Sequence, residues 1–224
     1  MGKRALIVYG GWDGHTPKES AGVCEQMLKG SGWDVVVKDT MDVYADAAFM
    51  AGVDVIVPIW TMGTIAKEQW AGLKEAVRGG CGLAGFHGGI IDSFRDNTEY
   101  QWMTGGQWVA HPGNCIPEGY DVYVSDPLHP ITAGITKFRL PNTEQYYVHV
   151  DPAITVLCTT RFEFEGVDAG YEGLYQRGTV MPYAWTKPWG KGKVFVACWG
   201  HTYKDFDVPE AKEIVRRGIE WAAR

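Results

Sequence analysis

The sequence lacks any apolar run approaching the ~20 residues that a membrane-spanning helix requires. It also lacks a long run of lysine or arginine, and its formal net charge of -6 disfavours nucleic acid or an anionic membrane as a partner. The apolar run after Met1-Gly2-Lys3-Arg4 is too short for a signal peptide, and no small-residue cleavage site follows it. We therefore expect a cytoplasmic protein that binds small neutral ligands.

Cysteine motifs are missing as well. The five cysteines are odd in number and widely separated, and none belongs to a Cys-x-x-Cys pair. This pattern disfavours disulfide bonds and a structural zinc site, so we expect each thiol to behave as a small buried apolar group. The length of 224 residues suffices for one large α/β core, and we interpret residues 1–224 as one domain.

Apolar runs alternate with helical patterns in the first half of the chain. Near-continuous apolar runs predict buried strands, and apolar residues spaced three and four apart predict helices that begin near Pro17 and Ala66, with a weaker one at 42–50. The predicted strands are 4–9, 33–38, 53–59 and 82–84. This order predicts an α/β three-layer sandwich with a mostly parallel central sheet, in which ligands bind beyond the carboxyl ends of the strands.

The second half is less regular. Residues 92–117 are rich in glycine, asparagine and aromatic side chains, and we interpret them as an excursion across the mouth of the cleft. A C-terminal helix is predicted with Asp207 as its N-cap, Pro209 in its first turn and Glu210 at the capping-box position. The predicted strands are 121–124, 154–159, 180–186 and 193–197, the last two forming an antiparallel hairpin.

The motif Gly85-Phe86-His87-Gly88-Gly89 follows a predicted strand and has the small residues that a sharp strand-to-helix turn requires. Such a turn, here called the elbow, usually presents a serine or cysteine nucleophile. A histidine in that position more often transfers protons or binds a metal. We therefore regard His87 as the strongest candidate for a functional residue.

Three further histidines follow predicted strands or lie in the excursion, namely His15, His111 and His201. The carboxyl ends of parallel strands meet at one edge of the sheet, so we expect these side chains to converge with His87. Taken singly, each could instead cap a loop. Glu144 is the candidate carboxylate that would orient His87 or share acid-base work with it, and the alternative is a solvated loop residue.

The remaining histidines receive no functional role. His129 lies in a proline-rich turn that it is expected to fix, and His149 is expected on an exposed strand. No His-x-x-x-His or His-Glu-x-x-His spacing announces a metal site. A zinc or other divalent metal among the clustered histidines is the alternative that their convergence leaves open.

Ten tryptophans are many for a chain of this length. Several fall in predicted loops or at strand ends, where flat aromatic faces could stack on a sugar. Core packing or a subunit interface would explain them equally well, and a homo-oligomer is one expectation. The tryptophans concerned are Trp12, Trp60, Trp102, Trp108, Trp189 and Trp199.

The order of these motifs over nearly the whole chain resembles the ThuA-like (trehalose utilisation) family. No single motif is specific, but their order of occurrence is. The segments that carry the resemblance are Gly10-Gly11 to His15, Gly85 to Gly89, Gly105-Gly106 to His111-Pro112, Asp126 to Gly134, Glu144-Gln145-Tyr146, and Gly190 to Phe195 through Gly200-His201.

The resemblance implies a flavodoxin-like, class I glutamine amidotransferase-like fold. It also implies a part in disaccharide breakdown, acting on keto-sugar derivatives that a partner oxidoreductase makes from trehalose-type glycosides. True amidotransferases carry a cysteine at the elbow. Because His87 stands there and Cys81 is badly placed to substitute, we expect no release of ammonia from glutamine.

Within this framework we predict that His87 and Glu144 are acid-base groups acting on a keto-sugar, in an isomerisation, an elimination or a hydrolysis. His15 and His201 would polarise substrate oxygens, and no cofactor is expected. The residues assigned to substrate binding are Trp12, Trp60, His111 and Tyr146. Two other hypotheses stay open: a domain that binds a saccharide or a partner without catalysis, and a metal-dependent hydrolase.

Overall fold

The computed structural model describes residues 2–163 and 176–224. Within these residues the strands are, in chain order, β1 (Arg4–Gly11), β2 (Asp34–Lys38), β3 (Val55–Thr61), β4 (Gly82–Phe86), β5 (Gly106–Ala110), β6 (Cys115–Ile116), β7 (Tyr120–Val124), β8 (Lys137–Leu140), β9 (Thr143–Glu144), β10 (Tyr147–Val150), β11 (Thr155–Arg161), β12 (Val180–Trp189) and β13 (Gly192–Ala197). The α-helices are α1 (Pro17–Gly30), α2 (Ala47–Met50), α3 (Lys67–Arg78), α4 (Gly88–Ile91), α5 (Thr98–Thr104) and α6 (Pro209–Ala222). Short 3-10 helices are Asp13–His15, Met41–Ala45 and Tyr203–Asp207.

A nine-stranded sheet in the order β2-β1-β3-β4-β13-β12-β11-β7-β8 forms the centre of the described structure. The five strands β2, β1, β3, β4 and β13 run parallel and form the core of the sheet. The sheet then continues antiparallel through β12, β11, β7 and β8. The prediction of an α/β fold with a mostly parallel core is therefore confirmed, and so is the β12-β13 hairpin.

Helices cover both faces of this sheet, as two positions of β13 that point to opposite faces show. A side chain at Gly192 would meet Val77 of α3, whereas Phe195 packs against Gly218 of α6. Residues three apart on a strand point to opposite faces, so α3 and α6 lie on opposite sides. A Cβ at Gly218 would come within 2.2 Å of the Phe195 ring, which explains why α6 carries glycine there.

Several local predictions differ from the structure. The weak helix at 42–50 is a 3-10 helix followed by the single turn of α2. The prediction of Asp207 as N-cap is wrong: Asp207 ends a 3-10 helix, Val208 is the extended residue that precedes α6, and no side chain caps this helix. Pro209 does begin it.

The excursion at 92–117 has structure of its own. It contains α5, β5 and β6, and its strands pair with β10 and β9 in two small antiparallel sheets outside the main one. Strands β5, β6, β8 and β9 lie outside the predicted strands, whereas β10 contains His149, which was expected on an exposed strand. The excursion matters because β6 holds β9, the strand that carries Glu144.

No helix of the described residues has the length and hydropathy of a membrane span. All five cysteines fall within the described part of the chain and are free thiols, and four of them are buried. This agrees with their expected behaviour as small apolar groups.

Candidate active site at the carboxyl edge of the sheet

His87 occupies the elbow between β4 and α4. Its backbone has φ 49° and ψ -146°, a region that costs a non-glycine residue about 1–3 kcal/mol. Two contacts with the end of β13 hold this conformation. The His87 amide donates to the Ala197 carbonyl at 2.7 Å, and Nδ1 donates to the Cys198 carbonyl at 3.0 Å. The structure therefore fixes the imidazole in one orientation.

Small residues around the elbow allow its close packing. A Cβ at Gly89 would lie 2.9 Å from the backbone of Ile59, and one at Gly88 would lie 2.6 Å from the His15 ring. Side chains at these positions would separate α4 from β3 or displace His15. The glycines of the motif thus bring the elbow and the end of β1 together.

Glu144 is the centre of a group of four histidines. His15, His87 and His201 follow β1, β4 and β13, so the parallel strands deliver them to one edge of the sheet. His111 and Glu144 come from outside the main sheet, after β5 and on β9. The distances to Glu144 Oε2 are 3.1 Å from His87 Nε2, 3.1 Å from His201 Nδ1 and 3.8 Å from His15 Nε2, and His111 Nε2 is 3.9 Å from Oε1.

The backbone around Glu144 is anchored by two buried tyrosines. Tyr120 donates its hydroxyl proton to the Glu144 carbonyl at 2.6 Å, and its oxygen lies 2.7 Å from the Tyr183 hydroxyl. Tyr183 in turn accepts the amide of Tyr146 at 3.1 Å. Because β7 and β12 belong to the main sheet, these bonds tie the separate strand β9 to the core.

Asp205 anchors the backbone around His201 in a similar way. Its Oδ2 accepts the amides of Gly200 and His201, both at 3.0 Å, and the hydroxyl of Thr143 at 2.9 Å. The carboxylate therefore joins the loop after β13 to the strand that carries Glu144. Burial raises the pKa of Asp205, and these three hydrogen bonds oppose that shift.

The pKa values of Glu144 and His87 are both shifted downward. Burial would raise the pKa of Glu144, but the polar contacts with His15, His201 and His87 outweigh burial and hold that pKa well below its usual range. Burial lowers the pKa of His87 to about 3, although its hydrogen bond to Glu144 opposes this. A buried carboxylate requires a compensating positive charge nearby, either protons or a cation.

Tyr146 packs flat against His87, with ring centroids 3.8 Å apart and an interplanar angle of 27°. It separates His87 from His111, which stacks at 6.4 Å on the same tyrosine. Arg95 pairs with buried Asp92 through two short bonds of 2.6 and 2.9 Å and lies over the Trp108 ring. A cationic and aromatic wall thus faces the histidine cluster.

A cavity of about 130 Å³ lies beside these side chains, and neither His87 nor His201 is among the residues that line it. Sites for whole drug-sized ligands occupy about 300–1,000 Å³, so this one encloses only the end of such a molecule. Trp12 stands at the cavity with 47% of its surface exposed. The lining residues are Trp12, His15, Met62, Asp92, Arg95, Trp108, His111, Glu144 and Tyr146.

The structure thus brings together all of the predicted acid-base residues and three of the four predicted binding residues. Trp60 is the exception: it does not line this cavity, and its ring instead lies against Gly10 and Gly63. His129 accepts the Ile131 amide at 3.2 Å within its turn, and His149 is exposed on β10. The catalytic and binding roles themselves remain predictions.

Sequence reasoning missed the supporting residues, chiefly Thr61, Tyr120, Tyr183 and Asp205. Thr61 places its hydroxyl 2.8 Å from His15 Nδ1. An acidic residue four positions after His201 is a weak signal that could have identified Asp205. For the tyrosines the sequence offers no signal, because their partners lie on strands distant in the chain.

Fold and site together define an α/β protein with a mostly parallel core of the sheet, in which a histidine occupies the turn after β4. The chain belongs to the ThuA family, described as trehalose utilisation, whose pattern matches residues 4–222. Among curated proteins, none matches this sequence.

Solved structures show the same fold at low sequence identity. A ThuA-like protein from Bacteroides uniformis ATCC 8492 is 17% identical, with a TM-score of 0.77 over 98% of this chain and 91% of that one. A ThuA-like protein from Parabacteroides merdae ATCC 43184 is 18% identical, with a TM-score of 0.73 over 99% and 90%. The cytoplasmic protein STM3548 from Salmonella typhimurium is 14% identical, with a TM-score of 0.63 over 99% of each chain. At these identities the likeness establishes the fold alone.

Proposed function

We propose that this protein is an enzyme that moves a proton next to the carbonyl group of a keto-sugar derived from a trehalose-type disaccharide. The observation that carries the proposal is the buried Glu144 carboxylate with four imidazole nitrogens within 3.1–3.9 Å. Acid-base groups in such a site are held ready for proton transfer. The family's connection with trehalose utilisation supports a sugar as the substrate.

The reaction would proceed by removal of a proton from the carbon beside the carbonyl. The electron pair left behind forms a carbon-carbon double bond while the carbonyl oxygen receives a proton. An isomerisation is completed when the former carbonyl carbon receives a proton and the hydroxyl group on the deprotonated carbon loses its proton, so that the carbonyl moves one carbon along the ring. Expulsion of the glycosidic oxygen from the next carbon completes an elimination, which breaks the C–O bond and releases an alcohol after protonation.

His87 and Glu144 are the proposed pair for these proton transfers, because both are buried and their side chains are 3.1 Å apart. His15 and His201, whose ring nitrogens lie 3.8 and 3.1 Å from the same carboxylate oxygen, would donate to the sugar oxygens as charge develops on them. Neither His87 nor Glu144 can serve as a thiol nucleophile. The elbow therefore supports proton transfer rather than the thioester chemistry of glutamine amidotransferases.

The size of the cavity supports a substrate that enters by one end. A volume of about 130 Å³ encloses the reacting edge of a single sugar ring. The second ring would then lie outside, where the exposed face of Trp12 could stack on it. A keto group must first be introduced by oxidation of a sugar hydroxyl, so a sugar oxidoreductase is the proposed pathway partner.

The test is turnover of a 3-keto-disaccharide by purified protein, with products identified by NMR and mass spectrometry. We expect His87→Ala to lower kcat/KM by about 10²–10⁴-fold, the usual contribution of a positioned acid-base group. His149→Ala is the matched control, because His149 is exposed on β10 and is not among the residues that line the cavity. Run in D₂O, an isomerisation should place deuterium at the carbon beside the new carbonyl.

Unchanged turnover in His87→Ala would refute the assignment of His87 as an acid-base residue. A rise in thermal stability with sugars or keto-sugars, without any product or deuterium exchange, would instead identify a saccharide-binding domain that has no catalytic activity.

A further inference from the structure

A second inference concerns what neutralises Glu144. Four ligand atoms converge at this point, one each from His15, His87, Glu144 and His201, and all of them lie within 4.8 Å of one another. In a tetrahedral zinc site with bonds of about 2.1 Å, the ligand atoms lie about 3.4 Å apart. The distances of 3.1, 3.1 and 3.8 Å from the imidazole nitrogens to Glu144 Oε2 bracket that value.

The hydrogen bonds of His87 direct its Nε2 atom at the carboxylate. The Cys198 carbonyl can only accept, so His87 donates its Nδ1 proton there. Nε2 then faces the oxygen of Glu144 at 3.1 Å. The contact between these two atoms requires a positive charge between them, which is either a proton on Nε2 or a bound cation.

His201 shows the same lack of a suitable partner. Its Nδ1 is buried 3.1 Å from Glu144 Oε2, yet within the described part of the chain it makes no hydrogen bond of acceptable geometry. An imidazole nitrogen, a carboxylate oxygen and a second imidazole nitrogen that share one point without satisfying one another are typical of a metal site whose ligands are preformed.

The outer contacts also match those of metal-binding histidines. Such residues usually give the second ring nitrogen to a carbonyl or hydroxyl, which fixes the ring and its tautomer. His87 does so with the Cys198 carbonyl, and His15 Nδ1 lies 2.8 Å from the Thr61 hydroxyl. Both rings therefore turn Nε2 toward the carboxylate.

We propose that His15, His87, Glu144 and His201 form a mononuclear site for a divalent transition metal, for which Zn²⁺ is the probe. Three imidazoles and one carboxylate suit zinc, iron or nickel better than magnesium or calcium. Asp92, although it lines the same cavity, is held on both oxygens by Arg95 and is not included.

This inference deepens the proposed function and, in its chemical consequence, rests on it. A cation bound here would supply Lewis-acid polarisation of the keto-sugar oxygen. With the metal bound, His87 and Glu144 would act as its ligands, and the proton-transfer role proposed for them above would belong to His111, which lines the same cavity and is 25% exposed.

The test uses metal-free full-length protein, titrated with Zn²⁺ by calorimetry and checked by elemental analysis. We expect one zinc per chain with a Kd below about 1 µM. His201→Ala and the isosteric Glu144→Gln should each raise the Kd for zinc by at least about 100-fold. Loss of a residue that merely supports a metal ligand weakens metal binding by up to about 100-fold, so loss of a ligand should cost at least as much. His149→Ala should bind zinc like the wild type, and circular dichroism establishes that each variant is folded.

Substoichiometric zinc in the wild type, or wild-type affinity in folded His201→Ala and Glu144→Gln, would overturn the metal site. Keto-sugar turnover is measured separately on the same samples. Turnover that persists without any metal uptake would overturn the metal site and keep the proposed function. Binding of one zinc per chain without turnover or deuterium exchange would keep the metal site and overturn the proposed function.

Discussion

Gly88→Ala offers a test of how the elbow positions His15. A Cβ at this position would lie 2.6 Å from His15 Cε1, 2.7 Å from Nδ1 and 2.9 Å from the Thr61 hydroxyl. Favourable contact begins at about 3.5 Å, so the His15 ring must move by about 1 Å. The backbone of Gly88 begins α4 and does not need a positive φ, so the effect of the added methyl is steric.

The magnitude follows from that displacement. Overpacking of this kind costs about 1–3 kcal/mol of stability. A shift of about 1 Å in a positioned group lowers kcat/KM by about 100-fold. We also expect weaker Zn²⁺ binding in Gly88→Ala, because His15 Nε2 would move away from Glu144 Oε2.

Gly22→Ala is the matched control. Gly22 lies within α1, and a Cβ there would meet no atom within 4 Å. Alanine is preferred to glycine inside a helix by about 0.5–1 kcal/mol, so this variant should be slightly more stable than the wild type and fully active. Urea denaturation, zinc titration and turnover are measured on both. Wild-type turnover and zinc affinity in Gly88→Ala would refute the steric argument.

Two further predictions concern a residue that supports the site and an ion-pair residue of the helix α6. Asp205→Ala leaves the Gly200 and His201 amides without their acceptor, so it should lower the free energy of unfolding by about 2–5 kcal/mol in urea denaturation and weaken zinc binding. Asp205→Asn should restore most of the stability and most of the zinc affinity. Equal effects of the two variants would contradict the proposed support by Asp205. Hydrogen bonds from Arg216 chiefly, and from Arg217, lower the pKa of Glu213 to about 2, below its unfolded value of about 4.3. The stability it contributes should therefore be present above about pH 5 and fade toward pH 2, so the deficit of Glu213→Gln in urea denaturation should shrink between pH 7 and pH 3; a constant deficit would oppose this.

The candidate site unites two structural sources. The parallel strands bring His15, His87 and His201 to one edge, as expected for any sheet of this type. Glu144 arrives on β9, which belongs to a separate two-stranded sheet and is tied to the core by Tyr120. Because the carboxylate decides both the proposed proton transfer and the proposed metal binding, the less regular half of the chain sets the chemistry.

Sequence patterns predicted the helices and strands in which buried apolar residues recur at a regular spacing. The strands β1, β3 and β4 and the helices α1, α3 and α6 follow apolar periodicity, which reflects a direct physical requirement to remove those residues from water. The predicted cap of α6 was wrong, and the strands β5, β6, β8 and β9 were absent from the prediction. A helix start depends on the preceding turn, and a short outer strand depends on a partner distant in the chain.

The sequence by itself determined the α/β class, the family and the identity of the elbow histidine, since each follows from local spacing and from the order of motifs. Only the tertiary structure decided that four histidines surround one carboxylate, that Trp60 stands apart from the cavity, and that Asp205 and Tyr120 support the cluster. The contacts of His87 illustrate this, because its partners Glu144 and Cys198 lie 57 and 111 positions away in the chain. Periodicity reports which side of an element is buried, but the pairing of elements fixes which buried side chains meet.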